Sequence, residues 1–352
     1  MGMNRERIRK RFWAIVICSV FVMGIFVTYV PKAISASDVI TWNVALWGGE
    51  RDWTRPLHKY VEDMAKLTNG RWQIKLHYGA VLSPSKEHLD GLKAGLFEAC
   101  QFCASYAPGK TPLQTVFELP FILPQDPQQM CQMMAALWEL PVLKKELARW
   151  NAVPFLPASI TQYGLMGNKK IAKVADFKGV RVRISGEMAR VVEMFGAAPT
   201  MIPVSDLYEA MERGTLDMAT LPWAFSLGAF KINEVSKYVT TNFNPGSQSC
   251  AYLANKKAWD ALPDEFKKYH MEWYKKAPKV WGDEYKKGDK RWIPIYKKTM
   301  EFVRLPDSER NKLVSKAEGV WKKWVERMEK RGLPGQKVLD YFLAKRKEIA
   351  GY

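Results

Sequence analysis

DFKGVRVRISGEMARVVEMFGAAPTMIPVSDLYEAMERGTLDMATLPW, residues 176–223, is the stretch whose reading decides the fold. It opens with a turn over residues 176–179. Val180, Val182 and Ile184 then alternate with Arg181 and Arg183, the period of a short strand. Gly186 breaks that period. Met188, Val191, Val192 and Phe195 recur at helical spacing, Gly196 suits the residue just past a helix end, and Pro199 follows. A second unit repeats the order. Residues 200–202 read as strand, and Ser205 can cap a helix carried by residues 207–211 and closed by Gly214. Residues 216–221 read as the next strand, stopped by Pro222. Strand, helix, strand, helix, strand is the grammar of a parallel sheet with helices on its faces.

The same stretch carries a long gapped pattern. Asp176, Lys178, Gly179 and Arg183 form its first part. Gly196, Ala197 and Pro199 form its second, and Pro203, Tyr208, Ala210, Gly214 and Asp217 its third. In this order and spacing the chain resembles the substrate-binding proteins of TRAP transporters, tripartite carriers for organic acids. Residues 118–124, ELPFILP, resemble that family's LPF stretch. The resemblance implies an α/β fold of two domains that close like a Venus flytrap, with a long helix lying across both. It also implies a small-molecule carboxylate as ligand and the membrane permease subunits of the transporter as partners.

Outward from this region, the N-terminus reads as an export segment. Residues 5–11, RERIRKR, are basic, residues 12–30 are almost wholly apolar, and Ala33, Ser35 and Ala36 supply small residues for cleavage. A signal peptide over residues 1–36 is expected, which places the protein in the periplasm. An uncleaved membrane anchor is the alternative, because the run approaches the length that spans a bilayer. The 352 residues carry a formal charge of +18. Residues 1–36 hold Arg5, Arg7, Arg9, Lys10, Arg11 and Lys32 against Glu6, which leaves +13 on the rest. The basic residues are interleaved with acids along the C-terminal helices, and no nucleic-acid-binding motif is present. They read as solvated helix faces whose net field favours anionic ligands.

With 47% hydrophobic residues the chain can bury two cores. Strands are expected at 39–46, 72–77, 97–102, 153–157, 162–166, 235–241 and 250–255. Helices are expected at 52–67, 83–94, 126–138 and 141–150, and two more within residues 307–347. The apolar, proline-rich stretch 104–124 reads as a packed loop. The first crossing between domains falls near residues 159–162. Domain I is read as 37–160 plus 249–285, and domain II as 161–248 plus 286–352. Residues 262–292 form the expected long helix, with a kink at Pro278.

Arg183 is the leading ligand residue. If Val182 and Ile184 face the core, Arg183 does not, and its guanidinium is a planar fork for a carboxylate. The resemblance puts it in the cleft. Arg181 shares its parity but falls outside the pattern. The family commonly has a second arginine near Tyr163, where this chain has none, and a ligand-facing side chain where this chain has Trp223. Trp47, Trp53, Tyr106, Phe225 and Phe243 fall near strand ends or loops, where ligands bind in such sheets. Arg183, Trp223, Tyr163, Trp47, Tyr106 and Phe243 are thus the expected ligand-binding set. The absence of a second arginine favours a monocarboxylate with an apolar or aromatic body.

No catalytic residue, metal site or cofactor is expected. His58, His77, His88 and His270 lack paired-ligand spacing, and neither G-x-S-x-G nor a phosphate loop occurs. Cys100 and Cys103 form C-x-x-C but sit in an expected strand, where residues three apart face opposite ways. Buried thiols, or a disulfide to Cys131 or Cys250, fit better than redox chemistry. An exported thiol oxidoreductase using Cys100 and Cys103, and a membrane-anchored ligand sensor, are the alternatives to a receptor.

Overall fold

A computed structural model describes residues 39–184 and 186–352. The expected signal peptide therefore lies outside the described residues. Eleven strands form two mixed sheets among the described residues. Their order in the chain is β1 (Ile40–Ala45), β2 (Trp72–His77), β3 (Ala99–Cys103), β4 (Ala152–Leu156), β5 (Tyr163–Gly167), β6 (Arg181–Arg183), β7 (Ala198–Thr200), β8 (Met218–Pro222), β9 (Tyr238–Thr240), β10 (Cys250–Asn255) and β11 (Glu301–Val303). The first sheet runs β2-β1-β3-β10-β4 and the second β11-β9-β5-β8-β6-β7.

The expected strand–helix–strand succession is present at 181–222. β6 lies parallel to both β7 and β8. Helices Ala189–Glu193 and Leu207–Glu212 connect them. Neither sheet is wholly parallel, however. β5 lies antiparallel to β8 and β9, and β10 antiparallel to β3 and β4. Each is the strand by which the chain enters the other sheet, so each arrives without a crossover helix to set its direction. The two entering segments run side by side. The Tyr163 amide donates to the Gly246 carbonyl (2.8 Å) and the Ser247 hydroxyl to the Ile160 carbonyl (3.2 Å).

The expected long helix is one element, Asp264–Thr299, continuous through Pro278 and Pro294. Each proline removes one backbone donor without ending the helix. The helix is anchored at both ends to different sheets. Near its start, Phe266 stacks on Trp72 and His270 bonds Tyr60. Midway, Trp281 donates to the Trp53 carbonyl and Tyr285 to that of Ser159. Near its end, the Tyr296 hydroxyl donates to the Ala224 carbonyl, and the Trp292 ring fills the space beside Gly228.

Residues 104–124 are packed, as their composition suggests. Pro112–Glu118 is a 3-10 turn buried at every position. Helices Ala317–Glu329 and Gly335–Ala350 fall in the stretch expected to belong to domain II. They bond to the first sheet's half, from Trp324 to Thr115, Trp321 to the Pro120 carbonyl and Tyr341 to the Ala136 carbonyl, and also to the second through Arg327 and Glu187. Among the described residues no helix is long and apolar enough to cross a membrane.

Candidate functional site

A small cavity lies where the carboxyl ends of strands from both sheets meet the entering segments. Trp47, Arg51, Trp53, Cys103 and Tyr106 line it from the first sheet. Ile160 and Gln248 line it from the entering segments. Tyr163, Arg183, Val204, Leu221, Pro222, Ser226 and Phe230 line it from the second. The walls are mostly apolar, with five aromatic rings and few polar groups, the usual make-up of a small-ligand site.

Arg183 ends β6 and is only 1% exposed. Its Nη1 donates to the Thr220 carbonyl (2.8 Å) and its Nε reaches the Ile202 carbonyl (3.4 Å). The Thr220 hydroxyl donates back to the Arg183 carbonyl (3.1 Å). The side chain is thus held across β6 and β8, and it has no carboxylate partner among the described residues. Tyr163 is buried, with its phenol beside Arg183. Burial pushes that phenol up, and the guanidinium partly offsets the shift. Arg181, on the same face by parity, is exposed and held bidentately by Asp217. Asp176 accepts from the Ala172 and Lys173 amides and closes its turn. Much of the sequence pattern is therefore structural, and Arg183 is its member in the cavity.

The structure brings four of the expected ligand residues together: Arg183, Tyr163, Trp47 and Tyr106. Trp47 is fixed by its amide bond to Gln101 Oε1 (2.9 Å) and packs on Tyr106 and Trp53, with centroids at 5.5 and 5.7 Å. Two expected residues lie elsewhere. Trp223 packs on the opposite face of β5 from Tyr163: its ring covers Gly164 and meets Tyr296 and Phe302 edge-on. Phe243 is buried against Phe177 in the core of the second sheet's half.

Sequence reasoning missed Arg51. It is 3% exposed, and its guanidinium lies over both Trp53 and Phe230, each centroid 5.4 Å away. Nη1 donates to the carbonyls of Trp47 (2.9 Å) and Gly49 (2.8 Å). Burial lowers its pKa. Its position just beyond the carboxyl end of β1 was the available signal. Phe230 and Ser226 were missed because the short helix Phe225–Ala229 carries no clear period.

The C-x-x-C cysteines do not form a pair. Cys103 is bridged to Cys250, its direct neighbour across β3 and β10. Cys100 is buried with its thiol pushed well above the usual range, which makes it a poor nucleophile. Among the described residues no cluster of three His, Cys, Asp or Glu could hold a metal ion. Near the cavity, Glu118 is fully buried, accepting at Oε1 from the Ser105 and Ser249 amides. Its Oε2 has no partner and abuts Gly186, where an added Cβ would sit 1.9 Å away. Burial raises its pKa to about 8.

The sequence profile of the bacterial extracellular solute-binding proteins, family 7, matches residues 49–328. A monocarboxylate 2-oxoacid-binding periplasmic protein of Nostoc is 28% identical over 231 residues, 62% of either chain. A C4-dicarboxylate-binding periplasmic protein of Rhodobacter capsulatus is 27% identical over 211 residues, 58% of this chain and 61% of that one. The matches thus span about three-fifths of these relatives' lengths. In fold, the chain is similar to a TRAP solute-binding protein from Rhodoferax ferrireducens, crystallised with copurified benzoate. The TM-score is 0.76 at 22% identity, over 89% of this chain and 99% of that one.

Proposed function

The chain belongs to the bacterial extracellular solute-binding proteins of family 7, and from that membership we propose that it is the receptor of a TRAP transporter for an organic acid. The observation that carries this reading is Arg183. A buried guanidinium without a carboxylate partner is costly to keep in a folded protein unless a ligand supplies the anion. Trp47, Tyr106 and Tyr163 would take the ligand's apolar body, with area burial and ring contacts as the driving terms. The named ligands of its relatives, a 2-oxoacid, a C4-dicarboxylate and benzoate, are all organic acids.

An apolar or aromatic body remains part of the proposal. The case against a second acidic group does not, because it rested on the lack of an arginine near Tyr163, and Arg51 supplies one from the other sheet. We place the protein in the periplasm, exported by residues 1–36, handing its ligand to the membrane permease subunits. Domain I is taken as 37–160 plus 249–285, with the helices of residues 317–350 moving with it. Domain II is taken as 161–248 plus the remainder of 286–352.

The test is mass spectrometry of acids released from protein purified without added ligand, followed by titration calorimetry with each acid found. An organic acid that binds wild-type protein stoichiometrically and fails to bind Arg183→Ala supports the reading. Recovery of no acid, with no heat from benzoate, 2-oxo acids or C4-dicarboxylates, would overturn it.

A further inference from the structure

The cavity holds two buried guanidiniums, and the second has an unused edge. Arg51 spends only Nη1 on the Trp47 and Gly49 carbonyls. Its Nε and Nη2 have no acceptor among the described residues, and the group forms no ion pair there. The rings of Trp53 and Phe230 cover it at 5.4 Å on either count. They attract the cation but offer nothing to its in-plane N–H groups. Securing the turn after β1 needs no more than one neutral donor nitrogen. A full cation buried to 3% exposure for that purpose alone costs more than the two bonds return.

Arg183 is placed differently. Its Nη1 and Nε are directed to the carbonyls of Thr220 and Ile202, and the Tyr163 phenol lies against it. The two cations line one small cavity from opposite sheets. Each makes the other more expensive to bury, because like charges repel more strongly at low dielectric. A single carboxylate on Arg183 would leave Arg51 without its in-plane partners.

Resting on the organic-acid reading, we infer that Arg51 is a specificity-determining residue: it receives a second oxygen-bearing group of the ligand, while Arg183 holds the carboxylate. The preferred class is therefore an acid that carries a second oxygen function besides its carboxylate, together with an apolar body. Either a neutral hydroxyl or a second carboxylate can meet an Nε–Nη2 edge, and the carboxylate would do so bidentately and with charge. The arrangement also gives Arg51 a part in closure, since ligand would then be held from both halves.

Two matched series test this by calorimetry on the mature protein. One is phenylacetate, mandelate and phenylmalonate. The other is propionate, lactate and methylmalonate. Within each, the parent acid gains a hydroxyl or a carboxylate at the same carbon. In wild type, at least one substituted acid should bind tenfold or more tightly than its parent, and the two arms separate hydroxyl from carboxylate. Arg51→Met should bring that ratio to within about threefold of one. Arg51→Lys keeps the charge and a donor for the turn but not the fork, and should recover part of the ratio for the carboxylate only. Arg183→Ala should weaken parents and substituted acids alike. Parents that bind wild type as tightly as their substituted forms would overturn the role of Arg51 and leave the organic-acid reading standing. So would a ratio unchanged in Arg51→Met. No binding by any member of either series would likewise overturn the role of Arg51, and the organic-acid reading would then be decided by the copurified acid alone.

Discussion

At the scale of single residues, Arg183 and Glu118 illustrate two uses of a buried charge. Arg183→Ala removes a charge-assisted pair, and the expected loss of affinity for the copurified acid is about tenfold to a hundredfold, ~1.5–3 kcal/mol. Arg183→Lys should not restore it, because a point charge does not reproduce the fork. The side chain also ties β6 to β8 through Thr220, so the alanine variant should melt lower by about 1 kcal/mol in stability while remaining folded. Calorimetry and thermal melts separate the two losses, and an unfolded variant would assign Arg183 to structure. Glu118 behaves in the opposite sense. Its folded pKa, raised to about 8 by burial, lies above the ordinary glutamate value of the unfolded chain. The folded state then binds the extra proton, so this group's contribution is fully favourable below the unfolded pKa. It is lost as pH rises towards 8, at up to ~1.4 kcal/mol per pH unit. Glu118→Gln mimics the protonated acid. Denaturant unfolding from pH 5 to 8 should show the variant gaining on wild type as pH rises, and parallel curves would sink the idea. Arg183 was legible in the sequence because strand parity and a long pattern agreed on it. Arg51 was not, because a loop after a strand has no period to orient its side chains.

At the scale of elements, the sequence carried the strands and helices of 176–223 well, since polar and apolar residues alternate there with the right periods. It said less about direction and face. β5 and β10 read plainly as strands, yet nothing local marks them as antiparallel, a property set by which sheet the chain has just left. β11 is three residues long and follows a helix without a break, too short for a pattern. The misplacement of Trp223 has the same origin. It follows β8 at the expected distance, but in the paired register Gly164, not Tyr163, lies on its side of the sheet. Gly164→Ala tests that placement. The new Cβ would stand 2.6 Å from the Trp223 ring, which must shift from Tyr296 and Phe302. A loss of about 1–3 kcal/mol in stability is expected, with affinity for the copurified acid within about twofold of wild type. An affinity loss far exceeding the stability loss would return Trp223 to the site.

At the scale of the whole molecule, a cavity walled from two sheets cannot fill unless those sheets separate. Three connections join the sheets, the segments around Ile160 and Gly246, which bond to each other, and the helix Asp264–Thr299, and the chain crosses once more between the helices Asp307–Val314 and Ala317–Glu329. The paired segments are short and sit at strand ends, the kind of place where a few dihedral angles absorb a rotation. The helix can follow only by bending or by yielding at one anchor. Its two internal prolines, at 278 and 294, leave carbonyls without their usual intrahelical donors, so bending is cheapest there. Opening must also part the contact of Arg327 with Glu187 (2.5 Å), which joins the C-terminal helices to the second sheet's half. Arg327 is more than a third exposed, and a pair of that kind resists separation by no more than about 1 kcal/mol. With two guanidiniums lining it, the cavity without an anion favours opening. Small-angle scattering should accordingly show the ligand-free protein larger than the complex, with compaction saturating at one equivalent of the copurified acid. Arg183→Ala should stay at the larger size under the same addition. An identical scattering profile with and without ligand, at concentrations where calorimetry shows full occupancy, would mean that the acid enters without hinge motion.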